Sequence, residues 1–308
     1  MLVNYLTVAQ QVAILFILIA LGFICGKTGI LTQTVSKHAS DLVLLFVTPC
    51  VIIHSFQRPF DVKMLKMLGL ACLLAFLIHA GAIGLTHLLL HDPDKRRQRV
   101  LHVGTVLSNA GFMALPLQQA LLGDDGVFFG AAYIAMFNLV LWSYGLLEMS
   151  GDRRALSPRK LLINPGVIGL VIGGALFLCS VTLPEILAAP IAHLAAMNTP
   201  LPMLIIGFYL SQSNLKAALR DWRGYLAIAL RLVVVPLAAL GIMWLCGVRG
   251  ALLVSMVVAS SAPVAAATTM FAAKFDGDAS LSVNMVSLST LLSILTMPLV
   301  VGLAQTMA

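Results

Sequence analysis

Two apolar segments of the sequence each combine a proline with small polar residues: SNAGFMALPLQQA, which starts at Ser108, and SSAPVAAATT, which starts at Ser260. A proline inside a helix removes one N–H and frees the carbonyl four residues before it. An interrupted helix also exposes a half-helix N-terminus, which attracts anions. We expect the Asn109 amide and the unpaired N–H groups at both interruptions to bind a carboxylate. The candidate substrate-binding residues are Asn109, Gly111, Pro116, Ser260, Ser261 and Pro263.

Two further polar residues in apolar surroundings, Asn138 and Thr268, are weaker candidates for the same site. Asn138 follows the first interruption by one apolar segment and can face it, whereas Thr268 lies just after the second. Serine and threonine in such segments also serve to pack helices together. No aspartate or glutamate lies in the middle of the apolar segments that carry these candidates. An uncharged polar site suits an anionic substrate, because added acids would repel it.

The other ionisable residues in apolar segments allow two interpretations each. Arg231 is the only lysine or arginine deep in such a segment; it could balance a substrate carboxylate, or pair with backbone carbonyls or an acid. His54, His79 and His102 could each carry a coupling proton, because histidine titrates near neutral pH. They could equally be hydrogen-bonded packing residues between helices.

Metal and disulfide signals in the sequence are weak. His87 and His91 are four residues apart, a spacing that could bind a metal, but they stand beside Asp92 and Asp94 where a solvated helix end is expected. The five cysteines form no CxxC pair and are expected to behave as small apolar residues. We therefore expect no metal site and no cofactor.

Composition identifies the elements that position these residues as membrane helices. Of the 308 residues, 60% are hydrophobic and 10% charged, whereas soluble domains carry about 25% charged residues. Crossing the bilayer takes about 20 apolar residues in a helix, and we expect the first stretch to be such a helix rather than a signal peptide. The sequence thus predicts an all-α polytopic membrane protein. Ten charge-free stretches predict ten spans: 1–26, 42–57, 67–90, 100–123, 126–147, 161–184, 186–215, 232–248, 250–273 and 279–308.

Basic residues are distributed unevenly between the loops that join these spans. One side would hold 14 of the 19 lysines and arginines, and the other side 4. Because the basic side faces the cytoplasm, we expect a cell inner-membrane protein with both termini on the periplasmic side. The same rule explains the net charge of +7 without nucleic-acid binding. The basic side comprises Lys27, Lys37, Lys95, Arg96, Arg97, Arg99, Arg153, Arg154, Arg159, Lys160, Lys216, Arg220, Arg223 and Lys274.

A polar break near the middle, SGDRRALSPRK from Ser150 to Lys160, divides the chain into halves of five spans, residues 1–155 and 156–308. An odd number of spans makes the second half start from the opposite face, so a repeat would be inverted, as in many secondary transporters. A few dipeptides recur at matching distances in the two halves. They are Thr48-Pro49 with Thr199-Pro200, and Leu65-Lys66 with Leu215-Lys216.

Three segments resemble the auxin efflux carrier family. They are LFVTPCVIIHSF in the second span, SNAGFMALPL in the fourth, and APVAAATTMFAAKFDGDASLSVNMVSLSTLLSILTMPLV from Ala262 to Val300. The resemblance extends over essentially the whole chain. Because the chain lacks the long cytoplasmic loop of the plant carriers, it is most similar to the short bacterial members, some of which are associated with malonate or other small carboxylates.

This resemblance implies ten transmembrane helices arranged as two inverted five-helix repeats, with broken helices 4 and 9 crossing at the substrate site. Helices 1, 2, 6 and 7 would form a scaffold, often as a homodimer, and helices 3–5 and 8–10 a moving transport domain. The family's asparagine falls on Asn109 with Pro116 as its proline, and its crossover proline falls on Pro263. The expected function is elevator-type transport of small organic anions, such as mono- or dicarboxylates, across the lipid bilayer.

Three other functions are alternatives to an anion carrier. A sodium-coupled symporter of the bile-acid transporter type shares the inverted-repeat layout, and sodium dependence would identify it. A membrane enzyme would need a Ser–His pair, an HExxH motif or paired acids at membrane depth. The sequence has none of these in its spans, so we expect no enzyme. A channel would show repeated pore-lining charges, which are also missing from the sequence.

Overall fold

The computed structural model describes residues 2–152, 165–212 and 221–308, and these residues are helical apart from turns, loops and one two-residue bridge. Seven helices in this part of the chain are long and apolar enough to cross a membrane. The described part of the chain is therefore all-helical, and the protein is a multi-pass membrane protein. The seven are Tyr5–Lys27, Gln33–Ser55, Val62–Leu89, Ala110–Ser150, Glu185–Gln212, Trp222–Leu245 and Ala279–Met307, and two shorter apolar helices are Pro165–Leu178 and Gly250–Ser261. The predicted loop residues Arg153, Arg154, Arg159, Lys160, Lys216 and Arg220 lie outside the described ranges, as does Leu215 of the recurring dipeptide.

Polar residues at the helix starts determine where several helices of the first half begin. The side chains of Thr32, Asp61 and Asp94 accept backbone N–H groups from the first turns that follow them, which satisfies donors that have no partner within the helix. The helices of this half are α1 (Leu2–Lys27), α2 (Gln33–Leu42), α3 (Thr48–Ser55), α4 (Val62–Leu89), α5 (Lys95–Val106), α6 (Leu115–Val140) and α7 (Leu146–Ser150).

The second half of the described chain contains eight further α-helices, the last of which is capped by Asp278, whose side chain accepts the N–H of Leu281 at 2.9 Å. They are α8 (Pro165–Leu178), α9 (Glu185–Ala196), α10 (Pro200–Gln212), α11 (Trp222–Ala229), α12 (Val235–Leu245), α13 (Gly250–Ser261), α14 (Ala267–Lys274) and α15 (Ala279–Met307).

Three prolines at membrane depth follow π-helical turns and do not interrupt their helices. Pro49, Pro116 and Pro236 are the second residues of α3, α6 and α12, and each stands just after a π-helical turn. Such a turn shifts hydrogen bonding to the carbonyl five residues back, which makes room for a ring that would clash with the carbonyl four residues back. The fourth predicted span is interrupted at residues 107–109, which include Asn109, whereas Pro116 lies within the helix that follows.

The helical run Ala110–Ser150 is divided at Gly123, whose φ of 61° and ψ of −145° are not helical. The sequence predicts the end of a span at this residue and the start of the next at residue 126. A glycine takes this left-handed backbone without a steric penalty. The run therefore consists of two consecutive segments that meet at an angle, and it is the most buried of the seven long helices.

Ion pairs join loops that the sequence assigns to the same side of the membrane. Arg97 lies 3.3 Å from Asp92, 2.7 Å from Asp221 and 3.5 Å from Asp278, which links three loops predicted to be cytoplasmic. Arg58 lies 2.6 Å from Asp125, which links two loops predicted on the opposite side. The relative sidedness of these loops therefore agrees with the prediction.

Two helix pairs approach each other closely through glycines spaced four residues apart. A methyl group at Gly22 would collide with the backbone of Leu204, and one at Gly26 with the Ser211 side chain, so α1 and α10 are in tight contact. On α8, a methyl group at Gly169 would stand 3.0 Å from the Cα of Pro49 in α3. Small residues at this spacing let membrane helices pack backbone to backbone. The two pairs α1–α10 and α3–α8 therefore use the same packing.

We expect Gly169→Leu to separate α8 from α3 and to destabilise the protein by about 1–3 kcal/mol, the usual cost of overpacking. The matched control is Gly174→Leu on the same helix, where an added methyl group meets nothing within 4 Å. Thermal unfolding of the purified proteins in detergent would measure both. Equal melting temperatures for the two variants would show that the α8–α3 contact does not depend on Gly169.

Candidate functional site

The two interrupted segments meet and bind each other through their backbones. The N–H of Asn109 donates to the carbonyl of Pro263 at 2.7 Å, and the N–H of Ala265 donates to the carbonyl of Leu107 at 2.9 Å. Ser108 and Val264 thus form a short antiparallel bridge, in which both residues are fully buried. The bridge satisfies backbone groups that the interruptions leave without helical partners.

This pairing changes how the backbone can contribute to substrate binding. The N–H of Val264 also has a partner, because it donates to the Ser289 hydroxyl at 3.1 Å. The prediction that unpaired N–H groups at both interruptions bind a carboxylate is therefore wrong for Asn109, Val264 and Ala265. These three N–H groups are already hydrogen-bonded within the protein.

A small cavity lies beside the bridge, between α10 and α15. Its volume is about 20 Å³, which leaves room for about one or two water molecules. None of the described residues that line it is charged. The lining residues are Asn109 and Ala266 at the interruptions, Ile206, Tyr209 and Leu210 of α10, and Val286, Ser287 and Thr290 of α15.

Asn109 presents an unused hydrogen-bond donor at this cavity. Asn109 is 5% exposed, and its side-chain Nδ2 has no hydrogen-bond partner among the described residues. The hydroxyl of Thr290, which lines the same cavity, also lacks a partner within the described chain. Leaving a buried donor unpaired costs about 1–3 kcal/mol, so both groups point to a ligand or a water that is hydrogen-bonded here.

The structure places the predicted site residues in different surroundings. Asn109 and Pro263 are directly hydrogen-bonded, and Thr268, in the first turn of α14, is buried with an unpartnered hydroxyl. Ser260 and Ser261 end α13, where their hydroxyls donate to the carbonyls of Val257 at 3.1 Å and Val258 at 3.0 Å. Both serine hydroxyls are therefore already hydrogen-bonded within their own helix.

Among the eight predicted site residues, Asn109 alone lines the cavity. Gly111 lies in the π-helical turn after the bridge, and Pro116 in the first turn of α6. Asn138 donates to the carbonyl of Ile134 in its own helix at 2.9 Å, so its amide is already engaged. Three lining residues were not selected for the site from the sequence: Ser287, Thr290 and Tyr209. Their spacing gives one signal, since Ser287 and Thr290 are three apart and share a helix face.

Arg231 is fully buried and holds the carbonyl ends of both interrupted helices. Its Nη1 donates to the carbonyls of Thr105 and Val106, each at 3.1 Å, and its Nη2 donates to the carbonyl of Ser260. These residues end α5 and α13, where free carbonyls and the helix dipoles concentrate negative charge. Of the two interpretations open from the sequence, the geometry agrees with pairing to backbone carbonyls.

The three candidate proton carriers have different surroundings. His54 is exposed. His79 is buried, with Nδ1 2.7 Å from the carbonyl of Ala75 in its own helix and its ring 4.9 Å from the Tyr133 ring. His102 is buried with Nδ1 2.8 Å from a carboxylate oxygen of Glu148. None of the three lines the cavity at the crossing.

Comparison with known proteins adds family information to this geometry. The model of a family described as membrane transport protein matches residues 7–301. An uncharacterized transporter of Methanothermobacter thermautotrophicus is 25% identical over 295 residues, which cover 94% of this chain and 96% of that protein. An uncharacterized transporter of Methanocaldococcus jannaschii is 22% identical over 304 residues, again 94% of this chain and 96% of that protein.

Proposed function

Because this chain belongs to the membrane transport protein family, that of the auxin efflux carriers, and is a membrane transporter, we propose that it carries small organic anions, such as mono- or dicarboxylates, by an elevator-type mechanism. The substrate class rests on the buried Asn109 amide, whose Nδ2 has no hydrogen-bond partner among the described residues. This amide lines a cavity whose described lining residues are all uncharged. A carboxylate is an acceptor that fits a surplus donor, and hydrogen bonds to a charged group contribute about 1.5–3 kcal/mol.

The position of the cavity supports the elevator mechanism. Its walls come from α10 on one side and from the crossing and α15 on the other. In our proposal α10 is part of the scaffold, whereas the crossing and α15 are part of the transport domain. A cavity of about 20 Å³ is too small for a carboxylate with several heavy atoms, so binding requires these two walls to separate. Movement of the transport domain relative to α10 would separate the two walls and expose the site.

The glycine-mediated helix pairs support the inverted repeat. We propose ten spans, in which α5 and the start of α6 form the fourth and α13 with α14 the ninth, divided into halves at 1–155 and 156–308. An inverted two-fold that exchanges the halves would exchange the first span with the sixth and the second with the seventh. It would therefore exchange the α1–α10 pair with the α8–α3 pair, which share glycines at four-residue spacing. Helices 1, 2, 6 and 7 would then form the scaffold.

We also propose the cell inner membrane as the location, with both termini on the periplasmic side, and a homodimer through the scaffold helices. The basic residues of the predicted cytoplasmic loops support the orientation. Ion pairs of Arg97 with Asp221 and Asp278 bring these loops to one end of the molecule.

Uptake into proteoliposomes tests the proposed function. Labelled malonate, malate, lactate and indole-acetate would be offered with and without a proton gradient, in sodium-free buffer and in sodium. We expect saturable uptake of at least one acid without sodium, and none in protein-free liposomes. Uptake that strictly requires sodium would instead favour a symporter of the bile-acid transporter type. No uptake of any acid by folded protein would contradict the substrate class.

A further inference from the structure

Two histidines and one glutamate from three helices lie close together in a part of the molecule outside the crossing. They are His87 near the end of α4, His102 in α5 and Glu148 in α7, and one ligand atom of each lies within 4.8 Å of the others. His102 is buried, Glu148 is 22% exposed at its side chain, and His87 is exposed. The cluster therefore reaches the molecular surface through His87. It shares no residue with the cavity at the crossing.

His102 is oriented as a metal-binding histidine would be. Its Nε2 lies 2.9 Å from the carbonyl of Leu90, and because a carbonyl only accepts, Nε2 carries the hydrogen. Its Nδ1 lies 2.8 Å from a carboxylate oxygen of Glu148, toward the centre of the cluster. Histidines that bind metals almost always donate their other N–H to a carbonyl or a carboxylate, which fixes the ring.

His87 is held next to this pair by two ring contacts. Its ring centre lies 4.4 Å from that of His102, at an interplanar angle of 70°. Its Nε2 also lies 3.2 Å from the hydroxyl of Tyr144. The sequence places His91 four residues after His87, a spacing that could bind a metal, although no metal site was expected there. The structure places His102, from the next helix, at His87 instead.

We propose that His87, His102 and Glu148 bind a divalent transition-metal ion such as Zn²⁺. Two imidazoles and one carboxylate, with a fourth position left for water, are a ligand set that zinc uses in proteins. Bonds of about 2.1 Å in a tetrahedral site place ligand atoms about 3.4 Å apart. The 2.8 Å contact between His102 and Glu148 would have to widen by about 0.6 Å, and His87 would move inward from at most 4.8 Å.

A metal at this position would join the ends of α4, α5 and α7. Both ring nitrogens of His102 face oxygen atoms, and the ion would insert into the contact between Nδ1 and Glu148. Metal binding needs a ring nitrogen without a hydrogen, so it generally releases protons. All three helices belong to the transport domain proposed above, but the metal site does not depend on that assignment or on the substrate.

Titration of the full-length protein with Co²⁺ and Zn²⁺ tests the site. The protein would be purified in detergent without a histidine tag, so that the chain supplies every histidine. We expect one Co²⁺ per chain with a tetrahedral visible absorption, displaced by Zn²⁺. Affinity should fall by more than about tenfold in His87→Ala and in Glu148→Gln, since even changing a residue that only orients a ligand costs about 10–100-fold.

His91→Ala is the matched control, because it removes a histidine from the same helix end while leaving the cluster complete. We expect its Co²⁺ affinity to equal that of the unchanged protein. No Co²⁺ binding by the unchanged protein would overturn the proposal. Equal binding in His87→Ala and Glu148→Gln, or a loss in His91→Ala as large as in His87→Ala, would overturn it as well. A melting-temperature check identifies any variant that fails to fold, and His87→Ala, at an exposed residue, is expected to fold.

Discussion

Carboxylate uptake by the Asn109→Ala variant is expected to fall about ten- to a hundredfold at low substrate concentration. The change removes the unpartnered Nδ2 donor at the cavity, and a hydrogen bond to a charged acceptor contributes about 1.5–3 kcal/mol. The backbone hydrogen bond from Asn109 to Pro263 does not involve the side chain, so the bridge should persist. Initial uptake rates in proteoliposomes would measure the effect.

Two companion variants separate a substrate contact from a general loss of packing. Asn109→Asp keeps the shape but places a negative charge where the substrate carboxylate would bind, so we expect a larger loss than with alanine. Asn138→Ala is the control, because that amide already donates to its own helix at 2.9 Å and does not line the cavity. Unchanged uptake by Asn109→Ala, or an equal loss in Asn138→Ala, would refute the assignment of Asn109.

The Arg231→Met variant is expected to be severely destabilised. The guanidinium is the donor to three buried carbonyls, those of Thr105, Val106 and Ser260. Each buried carbonyl left without a partner costs roughly 1 kcal/mol or more, so the total is about 3 kcal/mol or more. Loss of the positive charge at two helix C-termini adds to this. Thermal unfolding in detergent and the yield of monodisperse protein would measure the loss.

Arg249→Met is the matched control for this experiment. Arg249 also donates to two backbone carbonyls, of Trp244 at 2.7 Å and Val248 at 2.8 Å, but water can replace it at this exposed loop. We expect a small change there and an intermediate loss in Arg231→Lys, since lysine keeps the charge but lacks the planar fork of donors. Melting temperatures that are the same for Arg231→Met and Arg249→Met would contradict the role given to Arg231.

Composition and local signals were enough to predict an all-helical membrane protein and the approximate place of the interruptions. Ten spans were predicted, and the described residues contain seven helices long and apolar enough to cross a membrane. Apolar stretches near 20 residues predict helices because the bilayer allows few alternatives. The glycine at 123 falls where the sequence predicts a span to end. Proline was a less reliable guide, since Pro116 is accommodated after a π-helical turn. The break lies at residues 107–109, which contain no proline.

Contacts between distant parts of the chain were beyond the sequence reasoning. The carbonyl of Pro263, which accepts the Asn109 N–H, comes from the other half of the chain. Local patterns therefore predicted this N–H group to be free although it has a distant partner. The partners of Arg231 were left open for the same reason. Ser287 and Thr290 of α15 line the cavity. Nothing in the local sequence distinguishes them from serines and threonines that pack helices together, because their position at the cavity depends on how α15 packs against the crossing.

The bridge at the crossing also has a consequence for biosynthesis. Asn109 and Pro263, which are hydrogen-bonded, are 154 residues apart in the sequence. At translation rates of about 5–20 residues per second, the ribosome needs roughly 8–30 seconds to synthesise the second after the first. During that time the Asn109 N–H lacks its final partner, although a lipid-exposed backbone group must be satisfied. The nascent first half must therefore keep this segment in contact with water, with the insertion machinery or with a temporary protein partner until the second half arrives.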